Sequence, residues 1–343
     1  MSVVGLCSSM STFLVIVLLA LPLPLESFEI PPSFLFPVVL GASAPQGTAE
    51  SRTPLALRRP LTAGAGSPLG VPSAERRAGR AAAPGLGLQG SPTPGSADWI
   101  AKQVDRRDTG RDSRLTMQMR LFDRQGRARE RTLTVNGLRG QDGAGDRVLV
   151  RFSYPNDIAG TGFLVWERPG GDDDRFLYLP ALARVRRISG AERQESFVGS
   201  DFTYEDIGGR ALDDYAYTLV PEGGDWNGSW ADAAGVRHPA WRLESKAKNA
   251  DATYPKVVST IRKDNFVVVA ADVFNRRGER AKGYRVTRLA QVQGIWTVMS
   301  STMSNEIDRT RTELAVTEAR YNTGLSERDF SRRELENGAG GRR

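Results

Sequence analysis

The sequence predicts a mainly β (α+β) fold: an incomplete antiparallel β-barrel of about eleven to thirteen strands lidded by short helices. Three observations carry this. From Ser113 onward apolar residues recur with a period of two, turn-forming residues punctuate the chain at roughly eight- to twelve-residue spacing, and few stretches read as helix.

Leu115, Met117, Met119 and Leu121 alternate with Thr116, Gln118 and Arg120, as a half-buried strand requires. Leu133 and Val135 repeat the pattern, and Asp123-Arg124-Gln125-Gly126 supplies a hairpin turn between the two runs. Val148, Val150 and Phe152 alternate with Arg147, Arg151 and Ser153. Short runs follow at 162–167 and 175–179, separated by a Pro-Gly-Gly-Asp turn, and at 183–189. The C-terminal half continues with strands at 214–220, 240–246, 256–263, 266–274, 283–291, 295–303 and 311–321, punctuated by Gly278, Gly283 and Gly294. Helix is expected at 97–107, irregularly at 192–208, and at 326–335, where Ser326 would cap a first turn containing Glu327 and Asp329. An open sheet of this size must curl, and the helices are too few to coat it. A bent barrel plugged by short helices meets both demands and leaves room for an apolar cavity.

The domain occupies 97–337. Ahead of it, 1–44 reads as a signal peptide or N-terminal leader: Phe13-Leu-Val-Ile-Val-Leu-Leu-Ala-Leu21 is apolar but shorter than the roughly 20 residues that span a bilayer. Ala42-Ser43-Ala44 has the form of a cleavage site, although no Lys or Arg precedes Arg52. The leader is either removed there or kept as a membrane anchor. Residues 45–96 are rich in Pro, Gly, Ala and Arg with no apolar period and are expected to be a disordered linker, as is the tail at 338–343.

Composition excludes several classes of function. The chain has 343 residues, 40% hydrophobic and 25% charged, with a net charge of +7. Much of that surplus lies in the linker, where Arg52, Arg58, Arg59, Arg76, Arg77 and Arg80 face only Glu50 and Glu75. The remainder is too scattered for a nucleic-acid footprint. With one cysteine, Cys7 in the leader, and one histidine, His238, the chain offers no disulfide framework, Cys/His zinc site or Cys–His nucleophile. No cofactor and no metal are expected.

One segment stands apart. Ser196 to Tyr217 reads SFVGSDFTYEDIGGRALDDYAY, mixing aromatics with carboxylates between glycines that would serve as hinges. Phe197, Phe202 and Tyr204 would either pack under the loop as a satellite core or cover a cavity mouth. Asp201, Glu205 and Asp206 could be read as paired catalytic carboxylates, but nothing nearby supplies a metal or a pKa-shifting neighbour. Capping of a short helix, or pairing with Arg184, Arg186 or Arg187, explains Asp201 and Asp206 better.

Ser200 to Tyr217, with Arg175 to Arg193, Phe274-Asn-Arg-Arg-Gly278, Gly294-Ile-Trp-Thr297 and Tyr321-Asn-Thr-Gly-Leu325, is similar to the outer-membrane lipoprotein-sorting protein family, distant relatives of the periplasmic carrier LolA. The resemblance spans about residues 97–335 and departs from the family pattern in the leader and at 226–237. It implies a half-open barrel in the periplasm that holds acyl chains in its hollow. Members often accompany resistance-nodulation-division export pumps, so such a transporter is an implied partner, and no catalytic residue carries over.

The expectation is therefore a monomeric, non-enzymatic carrier or acceptor for a lipid or lipoprotein acyl chain. Its cavity would be lined by Leu115, Met117, Met119, Val148, Val150, Phe152, Leu177 and Leu179, under a lid of Asp201, Phe202, Tyr204, Glu205 and Asp206. The alternative is an envelope scaffold or adaptor whose core is filled by its own side chains and which binds a membrane transporter.

Overall fold

The computed structural model describes residues 11–12, 92–141 and 144–337. Apart from Ser11–Thr12, which pair antiparallel with Arg210–Ala211, and the last linker residues, the expected leader, linker and tail lie outside the described residues.

Fourteen strands form one antiparallel sheet. In chain order they are β1 (Asp112–Phe122), β2 (Ala128–Leu138), β3 (Arg147–Tyr154), β4 (Gly162–Trp166), β5 (Asp174–Leu179), β6 (Arg184–Ile188) and β7 (Tyr215–Leu219). There follow β8 (Ser229–Ala231), β9 (Arg237–Ala247), β10 (Lys256–Arg262), β11 (Val268–Phe274), β12 (Arg280–Val292), β13 (Ile295–Asn305) and β14 (Thr310–Tyr321). Spatially the order is β8-β9-β10-β11-β12-β13-β14-β1-β2-β3-β4-β5-β6, with β7 also on β9. Each half of the chain is thus a meander, and the last strand lies beside the first, with Leu314 opposite Met119. The sheet does not close: β6 and the β7–β9 flank remain edges. One buried apolar cluster nevertheless unites Ile188 of β6 with Val257 of β10, which sit near opposite ends of the strand order, so the sheet curls around a shared interior.

Strand patterning accounts for the two faces. In β1, Leu115, Met117, Met119 and Leu121 point inward while Arg114, Gln118 and Arg120 face out. Alternation fails in β3 and β4, where Val148-Leu149-Val150 and Phe163-Leu164-Val165 are buried throughout. Leu149, Leu164 and Phe176 pack on the outer face against Leu325, Phe330 and Leu335 from the C-terminal segment, so both faces are dry there. Its helical part is capped by Ser326, whose capping box with Asp329 was foreshadowed in the sequence, and ends in α3 (Arg332–Asn337). The Trp166 indole donates to the Phe330 carbonyl at 2.6 Å, and the Arg151 guanidinium donates to the Glu334 carbonyl at 2.8 Å.

Helix α1 (Ala97–Arg106) starts at Ser96, whose hydroxyl accepts from the Trp99 amide. It buries Ile100 and Ala101 against the inner face of β9–β11. The expected irregular helix at 192–208 is a set of single turns plus the short α2 (Tyr204–Gly208). Three expectations need correction. β8 was missed because Ser229-Trp-Ala231 is too short to show a period. Phe266 belongs to the turn before β11, with φ of 56°. Gly283 is not punctuation but lies inside β12 opposite Ser304, where an added Cβ would meet the serine oxygen at 2.9 Å. No helix among the described residues is long and apolar enough to cross a membrane.

Candidate functional site

The signature segment, Ser196 to Tyr217, runs through the hollow of the sheet, with Phe197, Phe202 and Tyr204 all in the main core. Phe197 packs on Phe152 and Phe163 with ring centroids 5.8 and 5.5 Å apart, and Tyr204 meets Phe163 at 5.2 Å. The chain folds back on itself here, since the Phe197 amide donates to the Phe202 carbonyl at 2.7 Å.

A buried polar network fixes the segment to the sheet. The Asp201 carboxylate accepts hydrogen bonds from Thr310 and, at 2.7 Å, from Thr312 of β14, while the Asp201 amide donates to Thr312 at 3.0 Å. The Lys282 ammonium of β12 donates to the Asp201 carbonyl at 2.6 Å and to the Tyr254 hydroxyl at 2.9 Å. Tyr254 in turn donates to Asp206 at 3.0 Å. Asp206 also completes a capping box with Thr203 at the start of α2, and Glu205 accepts from Thr253. The carboxylates that resemble a catalytic pair in the sequence are therefore occupied in holding backbone and hydroxyl groups. Asp201 bonds threonines, not the arginines of β6.

Gly208-Gly209 forms a seat rather than a free joint. The Arg175 guanidinium, 2% exposed, lies against Gly208, where an added Cβ would sit 2.6 Å from its Nε. Arg175 donates to Asp173 at 2.8 Å and to the Gly209 carbonyl at 3.4 Å. Gly209 has φ of 83°, a conformation that favours glycine. Burial lowers the pKa of Arg175, with Asp173 opposing that shift.

A second feature lies under α1. A half-open apolar cavity of about 80 Å³ is lined by Ala101 and Val104 of α1, Leu212 and Tyr215 beyond α2, and Leu243, Val257, Ile261 and Val268 of the sheet. Ser245 and Ser259 add small polar groups to its wall. One end of α1 is held by rings: Trp99 stands edge-on to Trp241 at 6.4 Å and to Phe266 at 5.6 Å. The other end is held by Arg139, which donates to the Asp105 and Arg107 carbonyls at 3.1 and 3.0 Å. Burial raises the carboxyl of Asp105 to about 6, against the pull of Arg139. Burial likewise raises that of Glu167 to about 8; its carboxylate accepts from the Asp146 amide at 2.8 Å.

The residues expected to line a cavity share one place. Leu115, Met117, Met119, Val148, Val150, Phe152 and Leu177 lie together in the main core beneath Phe197, Phe202 and Tyr204, with Leu179 half-buried at its edge. They stand apart from the residues around the α1 cavity. Sequence reasoning missed Lys282, Tyr254 and Thr312, although a signal existed. Lys282 shares its strand face with Tyr284 and Val286, and Thr312 shares its face with Leu314 and Val316. A lysine or threonine in phase with core residues implies a buried partner. Among the described residues no cluster of His, Cys, Asp or Glu could hold a metal ion.

No curated protein matches the chain. Residues 144–337 match a family model described as that of an uncharacterized protein. The structure superposes with a TM-score of 0.62 on a domain from Vibrio parahaemolyticus described as an outer membrane lipoprotein-sorting protein domain, at 30% identity over 70% of this chain and 98% of that one. A DUF1329 family protein from Desulfovibrio piger gives the same score and identity over 70% and 97% of the two chains. A LolA superfamily protein from Nitrosomonas europaea shares the fold at 15% identity, with a TM-score of 0.53 over 70% and 99%. With this identity over nearly the full length of the matched domain, the chain belongs to the LolA-like outer-membrane lipoprotein-sorting protein family.

Proposed function

We propose that the protein is a periplasmic, non-enzymatic carrier or acceptor that shelters a lipid or lipoprotein acyl chain between α1 and the inner face of β9–β11. The observation that carries this reading is the apolar cavity under α1. The helix above it is fastened at its ends, by Trp99 and by Arg139, and contributes Ala101 and Val104 to the cavity itself. At about 80 Å³ the cavity holds a few methylenes, so a full chain enters by lifting α1 from the sheet. Each methylene taken from water contributes about 0.8 kcal/mol, and a dozen would offset the loss of the contacts that α1 makes at rest. The signature segment, pinned by Asp201, Lys282 and Asp206, serves as the fixed floor against which α1 moves. The sorting family named for the Vibrio domain supports the choice of cargo, and hand-off to a resistance-nodulation-division transporter is the partner step of this proposal.

Native mass spectrometry of the full chain purified from its own envelope tests the reading. Adducts of acyl-lipid mass, removed by delipidation and restored by added lipid, are expected. A bare mass that cannot be loaded, accompanied by a co-purifying transporter, would sink the carrier reading in favour of an adaptor.

A further inference from the structure

The turns at the two ends of the strands differ in kind. At one end lie the β1–β2, β3–β4, β5–β6, β11–β12 and β13–β14 connections, as the pairings Phe122–Ala128, Arg151–Gly162, Leu179–Arg184, Phe274–Arg280 and Asn305–Thr310 require. Exposed large apolar side chains gather there: Leu182 is 66% exposed, Ile307 63% and Tyr154 54%. Leu182 and Ile307 stand on two different turns and Tyr154 ends β3 beside a third, all at the same rim. Arg124, Arg277 and Arg309 are exposed on these or the intervening turns and have no carboxylate partner among the described residues. The opposite end carries the β4–β5 and β7–β8 connections, where Asp172, Glu222 and Asp225 are exposed but paired with Arg193, Lys263 and Arg242.

We propose that the rim bearing Tyr154, Leu182 and Ile307 docks the barrel on an anionic phospholipid surface. A surface of alternating apolar tips and arginines suits the headgroup layer: the apolar tips reach the acyl boundary and the guanidinium groups meet phosphate. A water-facing rim gains nothing from Leu182 and Ile307 at this exposure, whereas the far-end carboxylates Asp172, Glu222 and Asp225 each already have a cation beside them. The unpaired arginines beside the apolar tips therefore orient the molecule as well as attracting it. This does not rest on the carrier reading, since a barrel that holds no cargo would dock in the same way.

The test uses the full chain with Cys7→Ser and a single environment-sensitive fluorophore attached through Leu182→Cys, Ile307→Cys or Val236→Cys. Val236, 54% exposed, lies in the β8–β9 turn at the opposite end and reports non-specific or leader-driven attachment. The probes are vesicles of phosphatidylglycerol with phosphatidylethanolamine, and vesicles of phosphatidylcholine alone. Expected is a blue shift at positions 182 and 307 that exceeds the shift at 236, appears with the anionic vesicles, and weakens with salt. Arg124→Gln and Arg309→Gln should each lower partitioning roughly fivefold. A shift at 236 equal to or larger than that at 182 or 307, or equal shifts with both vesicle types, overturns the proposal.

Discussion

Filling the cavity under α1 separates a cargo site from a packing flaw. Ala101 is 4% exposed and lines the cavity directly, so Ala101→Leu places three additional carbons into about 80 Å³ of space. Closed cavity volume costs about 24 cal/mol per Å³, so with this space half open to solvent the available gain is at most about 2 kcal/mol. Imperfect fit returns part of it, so the expected stabilisation is about 1 kcal/mol in equilibrium urea unfolding. The companion change Leu212→Ala enlarges the same space from the other side and should destabilise by about 2–5 kcal/mol. Binding of a fluorescent fatty-acid analogue should move the opposite way: weaker in Ala101→Leu, retained or stronger in Leu212→Ala. If the two variants leave binding unchanged, or shift it in the same direction, the cavity is not where cargo sits.

Asp201→Ala removes the acceptor for Thr310 and Thr312 in a buried setting. Hydrogen bonds to charged groups are worth about 1.5–3 kcal/mol each, so a loss of about 3 kcal/mol is expected, with Asp201→Asn losing about half as much. Hydrogen exchange over 196–209 should rise in the same order; unchanged protection would mean that the network does not hold the segment. Stability should also fall as pH rises. The Glu167 carboxyl is raised from 4.5 to about 8, and that of Asp105 from 3.8 to about 6, so the folded protein keeps protons that the unfolded chain has released. Their contribution is complete below the unfolded values and is lost on the way up, by about 1.4 kcal/mol per pH unit for each proton retained. Urea melts between pH 5 and 8 on Glu167→Gln should show a flatter dependence than the parent; an identical slope would refute the assignment.

Most of the strands were legible because inward and outward residues differ so plainly. Leu115 to Leu121 cannot be placed otherwise than with one face dry. Capping at Ser326 was equally visible, since a serine three residues before an acidic one satisfies the first-turn amides reciprocally. The partners of the signature segment were hidden by distance along the chain: Asp201 meets Thr312 across 111 residues, and no local pattern states that separation. The purpose of Gly208-Gly209 was hidden for a similar reason, because the demand for glycine comes from Arg175 on strand β5. The α1 cavity was unreadable because it is bounded by a helix, a loop and several strands, and the place where they fail to interdigitate depends on all of them together.

The seam between β14 and β1 has a consequence for how the protein comes into being. The first strand of the barrel waits for the last one, so during synthesis β1 offers an unpaired edge until residues near 320 have emerged. Early release would leave two half-sheets, each with an open flank at what should be the middle of the barrel, and both inclined to pair with strangers. A chain that assembles only once all of it is present avoids that hazard.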